Sequence, residues 1–137
     1  MKGRTKRKDQ KKGPKKDSSQ RQTPYGAIRD SRDGKGRFDL LPPLALRQLA
    51  LQFEIGAKKY GERNWEKGMP LSWFIDSGLR HLFQFLSGEE DEDHLRAAAW
   101  NIMVALETRE RVKLGQLPEE LIDLTRKKQK NMQGTSG

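Results

Sequence analysis

Residues 42–61, with the sequence PPLALRQLALQFEIGAKKYG, decide the fold of this chain. Apolar residues recur there at spacings of three and four, which is the period of an amphipathic α-helix. They are Leu46, Leu49, Ala50, Phe53, Ala57 and Tyr60. Proline fits the first helical turn, where a backbone donor is spare, and glycine commonly ends a helix. The stretch therefore predicts a helix over residues 43–60 that ends at Gly61.

Two later segments repeat this apolar period and predict helices over about residues 71–87 and 92–112. Their predicted core residues are Ile75, Leu79, Leu82, Phe83 and Leu86 in the first and Leu95, Ala98, Ala99, Ile102 and Leu106 in the second. A short fourth helix is expected after Pro118, with Leu117, Leu121 and Leu124 on its apolar side. No segment alternates as a strand does. The predicted class is all-α, a helical bundle of three main helices plus a short fourth.

The basic charge is concentrated at the N-terminus. Residues 1–36 hold 13 Lys and Arg against 4 Asp and Glu, whereas the other 101 residues hold 15 of each sign. Residues 2–22 contain no apolar side chain and cannot bury enough surface to offset the entropy of ordering. We expect a disordered basic tail over 1–33, a folded domain over 34–128 and a C-terminal tail over 129–137. The basic tail either solubilises the chain or makes weak contact with nucleic acid through counterion release.

The composition excludes several functional classes. The absence of cysteine rules out a disulfide scaffold, a thiolate metal site and a cysteine nucleophile. No P-loop or G-x-G-x-x-G motif is present, and no serine lies at a recognisable sharp turn. No apolar stretch is long enough to span a membrane, and the N-terminus lacks the apolar core of a signal peptide. We therefore expect a cytoplasmic protein with no membrane partner.

Side chains with metal-binding chemistry lie at the margins of the predicted helices. They are Glu54, His81, the acidic run from Glu89 to Asp93, His94 and Asn101. Imidazoles with carboxylates suit a hard or borderline divalent ion. Ordinary explanations exist for each: His81 as a hydrogen-bonded histidine, Glu54 as a solvated helix residue, and the acidic run as a cap supplied by Asp93 or a neighbour. A buried Asn101 amide needs polar partners on either interpretation.

Cationic and aromatic side chains flank the same predicted elements. The cations are Lys58, Lys59, Arg63 and Arg80. Phosphate is a natural ligand for such a set, and a metal with cations on one face favours phosphoryl or pyrophosphoryl chemistry. Trp65 and Trp73 offer faces on which a base could stack, although aromatic residues at bundle ends commonly belong to the core.

Short motifs spread over about residues 34–110 suggest a family. They are Gly36-Arg37-Phe38-Asp39-Leu40-Leu41-Pro42-Pro43, Gly56-Ala57-Lys58-Lys59-Tyr60-Gly61, Asn64-Trp65, Arg80-His81-Leu82, Gly88-Glu89, His94-Leu95 and Asn101. This set resembles the phage dATP/dGTP diphosphohydrolases, which include the MazZ proteins of phages that replace adenine with 2-aminoadenine. That family is similar to the MazG-type all-α nucleoside triphosphate pyrophosphohydrolases, which cut between the α- and β-phosphates with bound Mg²⁺ or Mn²⁺ and release pyrophosphate.

The chain departs from the usual MazG-type motif, which has Glu-Glu-x-x-Glu on one helix and Glu-x-x-Asp on the next. Here His81 falls at the last glutamate, and Ala98 and Asn101 fall at the second pair. The resemblance therefore implies a different set of metal ligands. We predict that the ligands are His81, Glu89, His94 and Asn101, with Asp93 and Glu54 as further candidates.

The resemblance also implies hydrolysis of a purine dNTP, dGTP or dATP, to dNMP and pyrophosphate, with Glu54 or Glu89 as the catalytic base. The substrate-binding residues would be Arg37, Asp39, Lys58, Tyr60, Asn64, Trp65 and Arg80. The enzyme would be a homo-oligomer, a dimer or tetramer, that shapes the dNTP pool in the cytoplasm of an infected bacterial host. The alternative is a non-enzymatic nucleic-acid-binding module with the basic N-terminal arm on a helical dimerisation platform. A charge-balanced bundle favours the enzyme, since a binding module would present a basic helix face.

Overall fold

The computed structural model describes residues 19–124. The chain divides into two compact units, Met1–Leu41 and Pro42–Gly137. The regular elements are β1 (Gln20–Gln22), β2 (Ile28–Asp30), α1 (Pro43–Tyr60), α2 (Leu71–Leu86) and α3 (His94–Lys113). Short 3-10 turns occupy Phe38–Leu40, Asn64–Lys67 and Glu119–Leu121. Three helices dominate these elements, which confirms the predicted all-α class.

The first unit contains an antiparallel hairpin that the sequence did not predict. β1 pairs with β2 so that Arg21 lies opposite Arg29. The hydroxyl of Thr23 accepts hydrogen bonds from the backbone N–H groups of Tyr25 and Ala27, and Gly26 adopts a φ of +89°. Local turn chemistry of this kind, rather than alternating apolar residues, forms the hairpin, so the expectation of no strand was wrong. Of the predicted disordered tail, residues 1–18 lie outside the described part.

The helix boundaries in the second unit follow the sequence closely. α1 spans the predicted residues and ends at Gly61, whose φ of +90° suits glycine. α3 begins after Asp93, whose carboxylate accepts a 3.0 Å hydrogen bond from the Arg96 backbone N–H. This confirms the predicted cap. Among residues 19–124, no helix is long and apolar enough to cross a membrane.

The buried helix faces differ from those predicted. α2 buries Leu71, Phe74 and Gly78, and α3 buries His94, Ala97, Ala98, Asn101, Val104, Ala105 and Thr108. Of the predicted core, only Ala98 is buried in α2 or α3, and Ile75 is half-buried. The exposed remainder is Leu79, Leu82, Phe83, Leu86, Leu95, Ala99, Ile102 and Leu106. In α1, Leu49, Phe53 and Ala57 are half-buried, while Leu46, Ala50 and Tyr60 are exposed.

Small residues explain which faces turn inward. A Cβ added to Gly78 would lie 3.3 Å from Ile102 Cδ1 and 3.5 Å from Asn101 Cβ. α2 therefore approaches α3 through its glycine, opposite Ala98. A larger side chain on that face would hold the two helices apart. The resulting core centres on Leu71, Phe74, Val104 and Ala105, with Phe53, Trp65, Met69, Ile75, Trp100 and Ile122 packed around it.

The predicted fourth helix is reduced to the 3-10 turn Glu119–Leu121. The Asp123 carboxylate accepts hydrogen bonds from both the backbone N–H (2.9 Å) and the hydroxyl of Ser72, at the start of α2. These bonds lower the pKa of Asp123. Among residues 122–124 the helical course does not continue. Residues 125–137, where that helix and the C-terminal tail were expected to end, lie outside the described part.

Candidate active site

The two histidines of the chain meet where α2 and α3 are joined. Because only residues 87–93 connect the helices, His81 near the end of α2 lies beside His94 at the start of α3. Their Nδ1 atoms are 2.9 Å apart, and the ring centroids are 5.2 Å apart. His94 is 2% exposed, and His81 is half-buried. Two imidazole nitrogens are therefore held together at the edge of the core.

Two carboxylates of the acidic connection complete this cluster. Glu92 Oε1 lies 3.2 Å from His81 Nδ1 and 3.6 Å from His94 Nδ1. On the other side of the His94 ring, Nε2 lies 2.6 Å from Asp91 Oδ1. An ionised carboxylate only accepts, so Nε2 of His94 donates to Asp91. The Nδ1 atom of His94 therefore lies close to both His81 and Glu92.

The surroundings of His81 disfavour its charged form. Partial burial lowers the pKa of His81; the charge of Glu92 opposes this shift, and His94 and Arg80 add to it. The hydrogen bond from His94 lowers the pKa of Asp91, which keeps that carboxylate ionised. A neutral imidazole and an ionised carboxylate are the forms that bind metal ions.

Two overlapping groups in the described chain have the composition of a metal site. Each has three ligand atoms within 4.8 Å of one another: His81, Glu92 and His94 in one, Glu89, Asp91 and His94 in the other. Of the predicted ligands, His81 and His94 share the first group, and His94 and Glu89 share the second. Asp91 and Glu92 were not singled out from the sequence, although both belong to the acidic run that pointed to this region.

The other predicted ligands have different surroundings. Asp93 caps α3 instead of joining either group. The buried Asn101 donates its amide N–H to the Ala97 carbonyl oxygen on its own helix, at 2.8 Å. Glu54 lies on α1, across the cleft described next, and belongs to neither group.

A cleft of about 1130 Å³ opens beside the cluster. It is lined by α1, residues 61–69, α2 and α3, and His81 and Glu92 reach it from the cluster. The predicted substrate residues that line it are Tyr60, Asn64, Trp65 and Arg80. Lys58 does not line it, whereas its neighbour Lys59 does. Arg37 and Asp39 belong to the first unit, where they form an ion pair of 2.7 Å.

Three cationic side chains lie on the walls of the cleft. Lys59, Arg63 and Arg80 line it, and Arg80 is oriented by Asp76 at 3.3 Å and by the Ser77 hydroxyl at 3.2 Å. These cations could bind the charged end of a nucleotide.

Of the three tryptophans that line the cleft, Trp65 and Trp100 are half-buried and Trp73 is exposed. Trp65 is half-buried, with the Phe53 ring centroid 6.0 Å away and the Arg111 guanidinium 5.1 Å from its own ring centroid. Trp73 is 63% exposed and lines the same cleft. Trp73 is therefore the aromatic side chain better placed to stack on a base.

Comparison with known families identifies the chain. A family model described as dATP/dGTP diphosphohydrolase, N-terminal, matches residues 25–116, a span that includes all three helices and both histidines. The chain belongs to this family. The diphosphohydrolase is thus an enzyme, a nucleoside triphosphate pyrophosphohydrolase with a nucleotide substrate, as the sequence motifs indicated. No curated protein and no solved structure gives a significant match.

Proposed function

We propose that the diphosphohydrolase converts dGTP or dATP to dNMP and pyrophosphate with a divalent ion held by His81, Glu92 and His94. The observation that carries this proposal is the convergence of three ligand atoms beside a cleft lined by cations and an exposed tryptophan. In a phage-infected cell such hydrolysis would deplete purine dNTPs and supply dNMP for remodelling of the precursor pool, as in 2-aminoadenine DNA synthesis.

The geometry of the donor atoms supports this assignment. The Nδ1 atoms of His81 and His94 and Oε1 of Glu92 are separated by 2.9, 3.2 and 3.6 Å. Ligands about 2.1 Å from an ion with octahedral coordination lie about 3 Å apart, which is close to this spacing. A metal-binding histidine commonly donates its other ring N–H to a carboxylate, and His94 does so to Asp91. Asp91 is therefore a positioning residue.

The donor types favour Mn²⁺ over Mg²⁺. Mg²⁺ prefers oxygen ligands, whereas two of the three donors here are imidazole nitrogens. A bound divalent ion supplies neutralisation of phosphate charge and a lower pKa for an attacking water. Glu54, which lines the cleft, and Glu89, which lies beside Asp91 and His94 but does not line the cleft, remain the proposed proton acceptors.

The remaining residues of the cleft bind and orient the substrate in this proposal. Lys59, Arg63 and Arg80 hold the β- and γ-phosphates and stabilise the charge that develops on the leaving pyrophosphate. Trp73 stacks on the purine, with Tyr60 and Asn64 beside the sugar. Trp65 supports this wall through its packing on Phe53.

The reaction is tested by incubating the full chain with each dNTP and either Mn²⁺ or Mg²⁺ and separating the products. We expect dNMP and pyrophosphate from dGTP or dATP, with faster turnover in Mn²⁺. Release of dNDP and phosphate would contradict the proposed position of cleavage. Absence of turnover with either metal would contradict the proposed reaction.

Two adjacent lysines test the assignment of the triphosphate site. Lys59→Ala is expected to lower kcat/KM for dGTP about tenfold, because a charged contact to phosphate is lost in a partly solvated cleft. Lys58→Ala is the matched control and should retain the parent activity, since Lys58 does not line the cleft. Steady-state kinetics on both variants shows which of the two lysines contributes to triphosphate binding. A loss confined to Lys58→Ala would support the sequence-based assignment instead.

We also propose that a second copy of the chain covers the outer face of α2 and α3. This face exposes Leu79, Phe83, Leu86, Leu95, Ile102 and Leu106, which is more apolar surface than a solvated helix pair ordinarily presents. Phe83→Glu is expected to reduce the mass found by light scattering after size exclusion to that of one chain. Leu44→Glu, at an exposed position of α1, should leave the mass unchanged. Equal masses for Phe83→Glu and the parent would contradict this interface.

A further inference from the structure

The hairpin unit has a basic cavity of its own. This cavity of about 510 Å³ is lined by Arg21, Ile28, Arg29, Asp30, Ser31, Arg32 and Lys35. Four of these side chains are cations and one is a carboxylate. Within residues 19–124, none of the four cations forms an ion pair with a carboxylate. The cavity therefore carries an excess of positive charge.

The pairing of the two strands concentrates that charge. Arg21 and Arg29 lie directly opposite each other, so their side chains project from the same face of the hairpin. Like charges at such positions destabilise a strand pair, and a two-stranded hairpin is only marginally stable by itself. An anion bound between the two guanidinium groups would remove the repulsion. A hydrogen bond from Arg21 Nε to the Asp30 carbonyl oxygen, at 3.3 Å, holds this side chain across the strand pair and offsets part of the repulsion.

The loop of the same hairpin presents an aromatic ring to solvent. Tyr25 is 97% exposed. Its backbone is held by the Thr23 hydroxyl, and the Gly26 N–H donates to the Thr23 carbonyl oxygen at 3.0 Å. The loop is thus ordered around a side chain that contributes nothing to a core. An exposed aromatic ring together with cations is the combination by which proteins bind single-stranded nucleic acid, through base stacking and phosphate contacts.

We propose that this hairpin binds single-stranded nucleic acid, an activity separate from nucleotide hydrolysis. Arg21, Arg29, Arg32 and Lys35 contact successive phosphates, and Tyr25 stacks on a base. A longer polyanion fits better than a single triphosphate, because the preceding residues 1–18 add 9 Lys and Arg against 2 Asp and Glu in sequence. The positive charge thus continues along the chain past the hairpin.

The phosphate contacts are tested by the salt dependence of binding to a labelled oligothymidylate, measured by fluorescence anisotropy on the full chain. Each phosphate contact to a single strand contributes a slope of about −0.7 in the logarithm of affinity against the logarithm of salt. The double variant Arg21→Gln with Arg29→Gln is expected to make the slope shallower by about 1.4. Arg21→Lys with Arg29→Lys should preserve it. Arg47→Gln with Lys67→Gln, at exposed positions of the second unit, removes the same charge and should leave the slope unchanged.

The stacking contact is tested by a change in binding affinity rather than by a change in the salt slope. Tyr25→Ala is expected to weaken oligothymidylate binding about tenfold with an unchanged salt slope, and Tyr25→Trp to retain the affinity. Equal slopes for the parent and the Arg21→Gln, Arg29→Gln variant would overturn the proposal. It would also be overturned if that variant raised KM for dGTP without altering oligothymidylate binding, because the cavity would then serve the substrate. An unchanged affinity of Tyr25→Ala would remove the stacking role and with it the assignment to single strands.

Discussion

Glu92→Gln is expected to lower kcat/KM for dGTP by at least about 100-fold at a fixed, subsaturating concentration of Mn²⁺. The substitution keeps the shape of the side chain but removes the charge that faces both histidines, 3.2 Å from His81 and 3.6 Å from His94. Loss of an outer-shell partner commonly weakens metal affinity 10- to 100-fold, and loss of a charged ligand should exceed that range. Activity should recover in part at high Mn²⁺ concentration.

A matched control lies two residues away. Glu90 belongs to the same acidic connection but to neither candidate metal group, so Glu90→Gln should keep the parent activity. Mn²⁺ binding, followed by the electron paramagnetic resonance signal of the free ion, separates a lost ligand from a lost fold. The metal assignment is wrong if the two variants have equal Mn²⁺ affinity and equal activity. An effect confined to Glu90→Gln would also contradict the metal assignment.

The helix bounds could be predicted because their signals are local. Pro43 and Gly61 mark the ends of α1, and the carboxylate of Asp93 marks the start of α3. Each signal depends on backbone groups within one turn, so no knowledge of the tertiary structure is needed. The hairpin was missed because its strands have only three residues each. A strand that short has no measurable apolar alternation.

The buried faces could not be predicted from apolar period alone. α2 and α3 each have a large apolar stripe, and the apolar period predicts that both stripes lie in the core. In the structure the inward faces contain Gly78 and His81 on α2 and Ala98 and Asn101 on α3, and of these only Ala98 belongs to the predicted stripes. Glycine and alanine are at most weakly apolar, yet their small volume permits close helix packing. The hydrophobic period identifies a helix face that must be buried. It does not show whether other residues of the same chain or a second copy of the chain bury that face.

Only part of the candidate site could be predicted from the sequence, because the direction of each side chain depends on the tertiary structure. His81 and His94 could be linked because they flank one short connection, and Glu89 belongs to that connection. The choice among five neighbouring residues of the acidic run depends on which carboxylate turns toward the imidazoles, and the backbone path fixes that direction. Asp93 is committed to the helix cap, which leaves Asp91 and Glu92 to face the histidines. The choice of Lys59 over Lys58 likewise depends on the rotation of α1.

Gly78→Leu is expected to destabilise the fold by about 1–3 kcal/mol, the usual range for overpacking a tightly packed contact. Even a Cβ at this position would lie 3.3 Å from Ile102 Cδ1 and 3.5 Å from Asn101 Cβ, so a leucine must push α2 away from α3. Gly78→Ala should change stability little. The gain in helix propensity, about 1 kcal/mol, is offset by the close contact with Ile102.

The other interior helical glycine provides the control. A Cβ at Gly56 in α1 would meet nothing within 4 Å, so Gly56→Ala should stabilise the fold by about 0.5–1 kcal/mol. Urea denaturation followed by circular dichroism, at one protein concentration for all variants, gives these differences. Gly78 precedes His81 by one helical turn, so displacement of α2 also moves His81 away from His94. Gly78→Leu should therefore weaken Mn²⁺ binding in the fraction that remains folded, and full stability with parental Mn²⁺ affinity would show that the α2–α3 contact does not position the cluster.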